Sequence, residues 1–487
     1  MTISLILLAL AALVALGLGI GARSGHDMNL EEWTVGGRGF GFLFVFLLLA
    51  GEIYTTFTFL GASGYSYGHG APAYYILAYG TVAYLIGYFM LPHIWRYAKN
   101  HNVVSQPDFF AHKYESRALG VIVALVGVTA LIPYLVLQLT GLGIIVSAAS
   151  FGLIPDWLAV LIGAAVVIIY VITSGVRGSA WTAILKDFMI VIIVVALGIW
   201  LPFHLYGGID KMFMAINNAK PGFLVFEPRG HSVWWFVSTV LLTSVGFFMW
   251  PHSLTGVFTA RRENTFRKNA IVLPLYQLIL LFVYLVGFAA VLKVPGLKGH
   301  EIDLALFKIV IATLPPWVVG LVGATGILTA LVPGSMITMT ASTLISRNIY
   351  AACNKQASDD QIVLIAKCLV PIVMAFAVFL TLSGNSTVVT LLLVGYSFVT
   401  QLFPAMIGSL MKNRFTTKEG AIAGILVGMA IAAWLTFSHQ SVAKLMPFLP
   451  TQVQDFNVGI IALIVNIVVL IVVSAATRRA SPIAAAE

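Results

Sequence analysis

Long apolar segments separated by short polar connections make up nearly the whole chain. A helix that crosses a hydrocarbon core of about 30 Å needs roughly 20 mostly apolar residues. Thirteen segments meet this requirement, and none shows the period-two alternation of a transmembrane β-barrel. The pattern predicts an all-α, polytopic membrane protein of about 13 transmembrane helices. The predicted spans are approximately residues 2–22, 40–66, 72–97, 118–149, 154–174, 180–206, 231–259, 270–293, 316–348, 360–382, 386–411, 419–437 and 457–477.

The composition agrees with a membrane protein and excludes several other classes. Of the 487 residues, 60% are apolar and 9% are charged, whereas soluble domains carry about 25% charged residues. A cytosolic enzyme, a nucleic-acid-binding protein and a disordered scaffold are therefore excluded. Because the connections between spans are short, we expect residues 1–487 to form a single transmembrane domain.

The distribution of Lys and Arg predicts the orientation in the membrane. With the N-terminus outside, the inner segments carry 18 of these residues and the outer segments carry 7. Positive residues concentrate on the cytoplasmic side, so we expect a protein of the cytoplasmic membrane with its N-terminus outside and its C-terminus inside. The net charge of +9 then reflects topology in the lipid bilayer, and no nucleic-acid partner is needed to explain it.

Three charged residues fall inside predicted spans, where each one costs at least about 2.5–3.5 kcal/mol. Glu52 lies in the middle of the second span, and Lys186 and Asp187 lie in the first third of the sixth. One interpretation is a buried ion pair that fixes helix packing. The other is a substrate or proton site, and the charged residues alone leave both open.

Two spans contain residues that interrupt a helix. Around Glu52, glycines and β-branched threonines tolerate unwinding, and threonine hydroxyls can replace lost backbone hydrogen bonds. In the seventh span, Pro251 removes a backbone hydrogen bond and clashes with the preceding turn. Interrupted spans five apart indicate an inverted-repeat transporter with a central binding site. The alternative is that Pro251 only kinks a helix near its cytoplasmic end.

Several segments together resemble the sodium:solute symporter family. They are residues 36–40, 61–64, 175–182, 246–252 and 342–350. The resemblance covers nearly the whole chain. It implies the five-plus-five inverted-repeat fold of LeuT-type transporters, with discontinuous core helices 1 and 6. The implied divisions are a leading helix at 2–22, a first repeat at 40–206, a second repeat at 231–411 and two C-terminal helices at 419–477.

The resemblance also implies a sodium site between core helices 1 and 8, and this sequence departs from it. Two adjacent hydroxyl-bearing positions of core helix 8 fall on Val332 and Pro333, with Thr329 one turn earlier. Neither valine nor proline offers a side-chain oxygen. A shift of register by two or three residues would bring Ser335 into the site.

A lysine lies close to the expected cation position. In this family core helix 5 usually carries an aspartate where this sequence has Ala183, and Lys186 follows about one helical turn along the same face. In a proton-coupled branch of the wider fold, a lysine of this helix fills the vacant sodium position. We therefore expect coupling to H⁺ through Lys186, Glu52 or both, with Asp187 in the same coupling group. Na⁺ coupling at a different cation site is the alternative.

The resemblance is closest to a branch that carries short monocarboxylates. It implies a secondary-active cotransporter that moves a small organic anion by alternating access. A carboxylate suits the positive ends of half-helices at the two interruptions, where hydroxyls would donate hydrogen bonds and aromatic rings would line the cavity. The expected substrate-binding residues are Gly51, Glu52, Tyr54, Thr55, Phe57, Thr58, Ser244, Phe247 and Trp250.

A second functional class is a solute-binding membrane sensor that works with a separate signalling partner. An enzyme is not expected, because the sequence contains no nucleophile, metal-ligand or paired acid/base motif. For the same reason, neither a cofactor nor a bound metal is expected.

Overall fold

Most of the described chain is helical, the conformation in which an apolar segment satisfies its backbone hydrogen bonds without water. The structure is a computed structural model that describes residues 1–23, 29–51, 54–354, 356–411, 415–438 and 441–478. Within these ranges the only β-pairing is an isolated bridge between Phe40 and Ala260. The predicted all-α fold is confirmed.

The helices of the described ranges are numbered in chain order. Two π-helical segments, Phe57–Gly61 and Leu344–Tyr350, adjoin α4 and α16. The helix bounds are α1 Thr2–Arg23, α2 Leu30–Val35, α3 Phe42–Gly51, α4 Ala62–His69, α5 Tyr75–Asn100, α6 Gln106–Lys113, α7 Arg117–Ala149, α8 Asp156–Tyr206, α9 Ile209–Ala219, α10 Val233–Gly246, α11 Pro251–Phe258, α12 Asn264–Gln277, α13 Leu280–Lys293, α14 Ala305–Thr313, α15 Pro316–Thr343, α16 Ala351–Cys353, α17 Asp359–Ser383, α18 Val388–Val399, α19 Phe403–Leu410, α20 Lys418–Phe437, α21 Val442–Leu445, α22 Thr451–Gln454 and α23 Val458–Thr477.

By length and apolar composition, ten helical segments of the described chain can cross a membrane, and the bent pair α10–α11 makes an eleventh. The sequence predicted about thirteen spans. Two features account for the difference. The 51-residue helix α8 contains two predicted spans, and the predicted span 40–66 is divided between the ten-residue helix α3 and the helical segments that follow it.

Gly175 divides α8 where the sequence predicted separate spans. Its backbone has φ 56° and ψ −154°, a conformation that essentially only glycine adopts. A Cβ atom here would lie 2.7 Å from Cδ1 and 2.8 Å from the carbonyl oxygen of Trp33. The chain therefore kinks at Gly175, and the predicted spans 154–174 and 180–206 lie on either side.

The helices pack closely through small residues. The last two spans, α20 and α23, approach each other at Gly424, where a Cβ atom would lie 2.6 Å from Oδ1 of Asn466. Because lipid tails are as apolar as leucine, such close backbone approach is a main source of helix association in a membrane.

Several ion pairs lie on one face of the molecule. We call the face on which α1 begins the N-terminal face. On the opposite face, ion pairs join Glu32 to Arg177, Asp108 to Arg347 (2.7 Å) and Arg96 to Glu263 (2.7 Å). These contacts lie where the sequence predicts the cytoplasm, and the orientation itself stays a prediction.

Candidate functional site

The first interruption lies between α3 and the π-helical segment Phe57–Gly61. α3 ends at Gly51, the backbone bends at Tyr54 and Thr55, and helical structure resumes at Thr56. Glu52, one of the predicted site residues, lies outside the described residues. The sequence prediction that this span is interrupted is consistent with the backbone on both sides.

Threonine hydroxyls form hydrogen bonds with backbone groups at this interruption, as the sequence predicted. The hydroxyl of Thr58 accepts from the N–H of Thr55 (3.1 Å) and donates to the Thr55 carbonyl (3.0 Å). The hydroxyl of Thr55 accepts from the N–H of Phe57 at 3.1 Å. A hydroxyl has one hydrogen to donate. Thr58 uses its hydrogen for the Thr55 carbonyl, whereas Thr55 donates to no acceptor among the described residues.

The second interruption lies between α10 and α11. Trp250 is extended (φ −62°, ψ 125°), and the chain bends by 49° between the helical pieces. Pro251 occupies the first turn of α11, a position that needs no backbone donor. The Gln106 amide donates to the Met249 carbonyl at 2.8 Å and replaces a helical bond lost at the bend. Pro251 thus ends one helix and begins another.

Lys186 contacts the carbonyl end of α3. Its side chain is fully buried, and its Nζ lies 3.4 Å from the carbonyl oxygen of Gly51 and 3.1 Å from that of Tyr54. Nζ also lies 2.9 Å from Oδ1 of Asp187. A cation is favoured at a helix C-terminus, where carbonyl groups lack backbone partners. The structure brings Gly51, Tyr54, Lys186 and Asp187 together.

The positions expected to ligate sodium are occupied differently. Val332 packs with Leu47 and Ala183 in a small buried apolar cluster beside the first interruption. Ser335 donates to the Val332 carbonyl at 2.7 Å and shares a hydrogen bond with Ser179 at 2.8 Å.

Thr329 and Pro333, the two other expected sodium positions, also lie in α15. Thr329 donates to the Gly326 carbonyl at 2.6 Å, and Pro333 is buried within α15. Of the four positions, only Thr329 and Ser335 carry a side-chain oxygen, and in the described part of the chain both hydroxyls donate to carbonyls of α15 itself.

Two predicted hydrogen-bond donors are engaged by the protein itself. Ser244 donates to the Tyr79 carbonyl at 3.0 Å, and the Tyr54 hydroxyl donates to the Tyr276 carbonyl at 2.8 Å. Both bonds tie an interrupted helix to a neighbour. Direct binding of a solute by these two hydroxyls stays a prediction, because each would first have to leave its carbonyl.

The predicted aromatic wall is buried and partly assembled. Phe57, Phe247 and Trp250 are each at most 5% exposed. Tyr396 lies beside Trp250, with ring centroids 5.3 Å apart, and Tyr79 lies between Phe247 and Tyr396, 6.2 Å and 5.9 Å away. The sequence analysis missed these two tyrosines because their position depends on packing between distant helices.

A glutamine also joins the site without having been predicted. Gln138 of α7 accepts at Oε1 from the Thr56 hydroxyl at 2.9 Å and is nearly fully buried. Its amide in the middle of an apolar span could have indicated a buried polar contact, since a buried polar group needs a hydrogen-bond partner.

A cavity of about 1020 Å³ lies at the N-terminal face, beyond the two interruptions. Its wall includes Tyr65 and His69 of α4 together with His231 and Trp235 at the start of α10. The imidazole centroids of His69 and His231 are 4.4 Å apart. α4, which follows the first interruption, and α10, which precedes the second, therefore meet beside one cavity.

Comparison with known proteins gives consistent matches. A sequence model of the sodium:solute symporter family matches residues 33–428. The uncharacterized symporter YhjB of Bacillus subtilis is 53% identical over 485 residues, covering 100% of this chain and 99% of the relative. The monocarboxylate transport permease protein of Rhizobium johnstonii is 31% identical over 470 residues, covering 94% of this chain and 92% of the relative.

A solved structure has the same fold. It is that of a Na⁺-coupled sialic acid symporter in a substrate-bound, outward-open state. The TM-score is 0.80 at 15% sequence identity, and the match covers 98% of this chain and 99% of the other. At this identity the likeness establishes the LeuT-type architecture and says nothing of solute or ion.

Proposed function

We propose that this chain, which belongs to the sodium:solute symporter family, couples the movement of a short monocarboxylate to that of a proton. Family membership makes it a secondary-active solute symporter of the membrane and not an enzyme. The identity of the solute and of the coupling ion is the proposal. It rests on one observation above all, the contact of Lys186 Nζ with the carbonyls of Gly51 and Tyr54.

In this proposal, coupling depends on the charge at the carbonyl end of α3. An ammonium at the carbonyl end of α3 supplies the positive charge that a bound sodium ion would otherwise supply. When Lys186 loses its proton, the two carbonyls lose a charged donor, so proton release weakens the interrupted region as cation release would. Asp187, 2.9 Å away, balances the charge of the protonated state.

A carboxylate is the proposed solute because of the second interruption and the hydrogen-bond donors at the two interruptions. The first turn of α11 has backbone N–H groups without helical partners, a favourable environment for a carboxylate. The Thr55 hydroxyl retains a hydrogen to donate. Phe57, Phe247 and Trp250 offer an apolar wall for a few carbon atoms. A relative named as a monocarboxylate transport permease supports this solute class.

The test is uptake of labelled acetate, lactate or pyruvate into proteoliposomes. We expect an inward pH gradient without Na⁺ to drive accumulation by the wild type and not by Lys186→Ala. The matched control is Lys308→Ala, which removes an exposed lysine of α14 and should leave uptake unchanged. A strict requirement for Na⁺ would overturn the coupling proposal and favour a different cation site, and failure of all three acids would overturn the solute proposal.

A further inference from the structure

One face of α7 contacts both interrupted helices. At Gly141 a Cβ atom would lie 2.5 Å from Cβ of Thr56, where helical structure resumes after the first interruption. At Gly127 a Cβ atom would lie 2.8 Å from Cγ of Pro251 at the second interruption. The two glycines are about four helical turns apart and lie on the same face of α7. The backbone of α7 therefore lies directly against both interruptions.

Gln138 lies on this face of α7, between the two glycines, and its side chain is 1% exposed. Its Oε1 accepts from the Thr56 hydroxyl at 2.9 Å and from the Thr56 N–H at 3.4 Å. These two donors fix the orientation of the amide, because the reverse orientation would set its NH₂ group against the N–H of Thr56. Thr56 therefore holds the oxygen of the amide and leaves its nitrogen for another partner.

The Nε2 atom of Gln138 is buried and makes no hydrogen bond to any residue that the structure describes. An unpaired buried donor is costly, so a partner for it is expected. An amide NH₂ group donates and does not accept, so this partner has to be an acceptor. One helical turn before Gln138, Tyr134 packs on Trp250, with ring centroids 4.9 Å apart. The unpaired donor thus lies one turn from a residue that contacts the proposed apolar wall.

We infer that Gln138 binds the carboxylate of the solute, with Nε2 donating a hydrogen bond to a carboxylate oxygen while Thr56 holds the amide oxygen. The inference rests on the proposed function and adds a residue that determines its specificity. An ionised carboxylate offers acceptors only, which suits a group that can only donate. A cationic head group would find no acceptor on this amide, because Oε1 already accepts from Thr56.

The experiment measures the concentration of labelled acetate, lactate or pyruvate that gives half-maximal exchange in proteoliposomes at equal pH on both sides. Gln138→Met removes the amide and keeps an unbranched side chain of similar length. Thr56→Val breaks the bond to Oε1 from the other side and leaves Nε2 in place. The matched control is Gln401→Met, because Gln401 is also a buried glutamine but its Nε2 donates to the Ser397 carbonyl at 3.1 Å.

We expect Gln138→Met to raise the half-saturating concentration by about 10- to 100-fold, the effect of losing a hydrogen bond to a charged group. Thr56→Val should raise it by clearly less, and Gln401→Met should keep the wild-type value even where its unfolding temperature is lower.

A wild-type half-saturating concentration in Gln138→Met would overturn the inference and leave buried water as the partner of Nε2. Equal effects of Gln138→Met and Thr56→Val would also overturn it, because Gln138 would then act only by holding Thr56. An equal effect of Gln401→Met would overturn it by indicating a general loss of packing. Exchange of none of the three acids by the wild type is a separate result, which would overturn the proposed solute and this inference with it.

Discussion

At the residue scale, the Lys186–Asp187 pair is buried in α8 beside the first interruption. Both side chains are at most 6% exposed, and they lie 2.9 Å apart. Removing one member of a buried pair leaves an uncompensated charge, which typically costs about 3–5 kcal/mol, whereas replacing both is close to neutral. We therefore expect the stability of the protein to depend on keeping both members of the pair, whether or not they take part in transport.

We predict that Lys186→Met lowers the free energy of unfolding by roughly 3–5 kcal/mol. Lys186→Met/Asp187→Asn should recover part of this loss, because the carboxylate of Asp187 that the single change leaves uncompensated is then replaced by a neutral amide. Thermal unfolding of the purified protein in detergent, followed by tryptophan fluorescence, measures both. Equal unfolding temperatures for the single and the double variant would contradict the paired arrangement.

The same residues indicate how far the sequence alone could reach. The threonine hydroxyls at the first interruption follow from residue type and local spacing, whereas the expectation that Val332 stands at a sodium-ligand position comes from the family resemblance and stays a prediction. The bonds of Ser244 to Tyr79 and of Thr56 to Gln138 do not, because each joins helices more than 80 residues apart. The sequence identifies polar side chains that need hydrogen-bond partners, but the partners themselves depend on how the helices pack.

At the element scale, two features fix junctions between helices, one between α8 and α2 and one between the segment before α14 and α18. Gly175 permits the kink of α8 that places Trp33 against it. Asp303, in the segment before α14, accepts from the Val388 N–H at 2.8 Å and so caps α18. The sequence did not indicate a structural role for Gly175 or Asp303, because that role depends on the segment packed against each residue.

We predict that Gly175→Ala destabilises the protein by about 1–3 kcal/mol through the backbone conformation alone, with the contact to Trp33 adding to the loss. The control is Gly17→Ala on α1, where a Cβ atom meets nothing within 4 Å. That change should be neutral or slightly stabilising, because alanine is the better helix former. Unfolding temperatures of the two variants test the contrast, and equal effects would contradict it.

Asp303 makes stability depend on pH. Burial raises the pKa of its carboxyl from 3.8 to about 7, against the opposing effect of the Val388 hydrogen bond. Between these values the folded protein holds a proton that the unfolded chain has released, so the free energy of unfolding rises as the pH falls through 7 toward 4. Above pH 7 the folded protein carries a buried carboxylate and is at its least stable with respect to this group.

We predict that Asp303→Asn flattens the dependence of the unfolding temperature on pH between 5 and 8. At pH 8 the variant should unfold at a higher temperature than the wild type, because the amide oxygen still accepts from the Val388 N–H and carries no charge. Asp210→Asn, which removes an exposed acid of α9, is the control and should follow the wild type. An unchanged pH profile for Asp303→Asn would refute the role of this carboxyl.

At the scale of the whole molecule, the fold is the part that the sequence predicted most completely. The prediction used properties of long segments, namely apolar length, positive-residue bias and two interruptions. An error of a few residues in a segment boundary does not change them. The cavity with His69 and His231 was not predicted, because it forms only when the ends of α4 and α10 meet. Division into repeats at 40–206 and 231–411 stays a prediction.

The orientation is open to a labelling test. The chain has two cysteines, and Cys353 is exposed on the face opposite to the N-terminal face. In a Cys368→Ser background, we predict that an impermeant maleimide labels Cys353 only after the cells are permeabilised. Lys220→Cys in a background without the native cysteines should be labelled on intact cells. The reverse pattern would place the N-terminus inside.

The central claim is that a lysine occupies the place of the coupling cation, so that protons and not sodium ions accompany the solute. Its most direct test measures both ions in the same wild-type proteoliposomes, with a trapped pH dye and ²²Na⁺, while the monocarboxylate enters. The account predicts that protons enter with the solute in the absence of Na⁺ and that ²²Na⁺ does not. Entry of ²²Na⁺ with the solute, without proton entry, would contradict it.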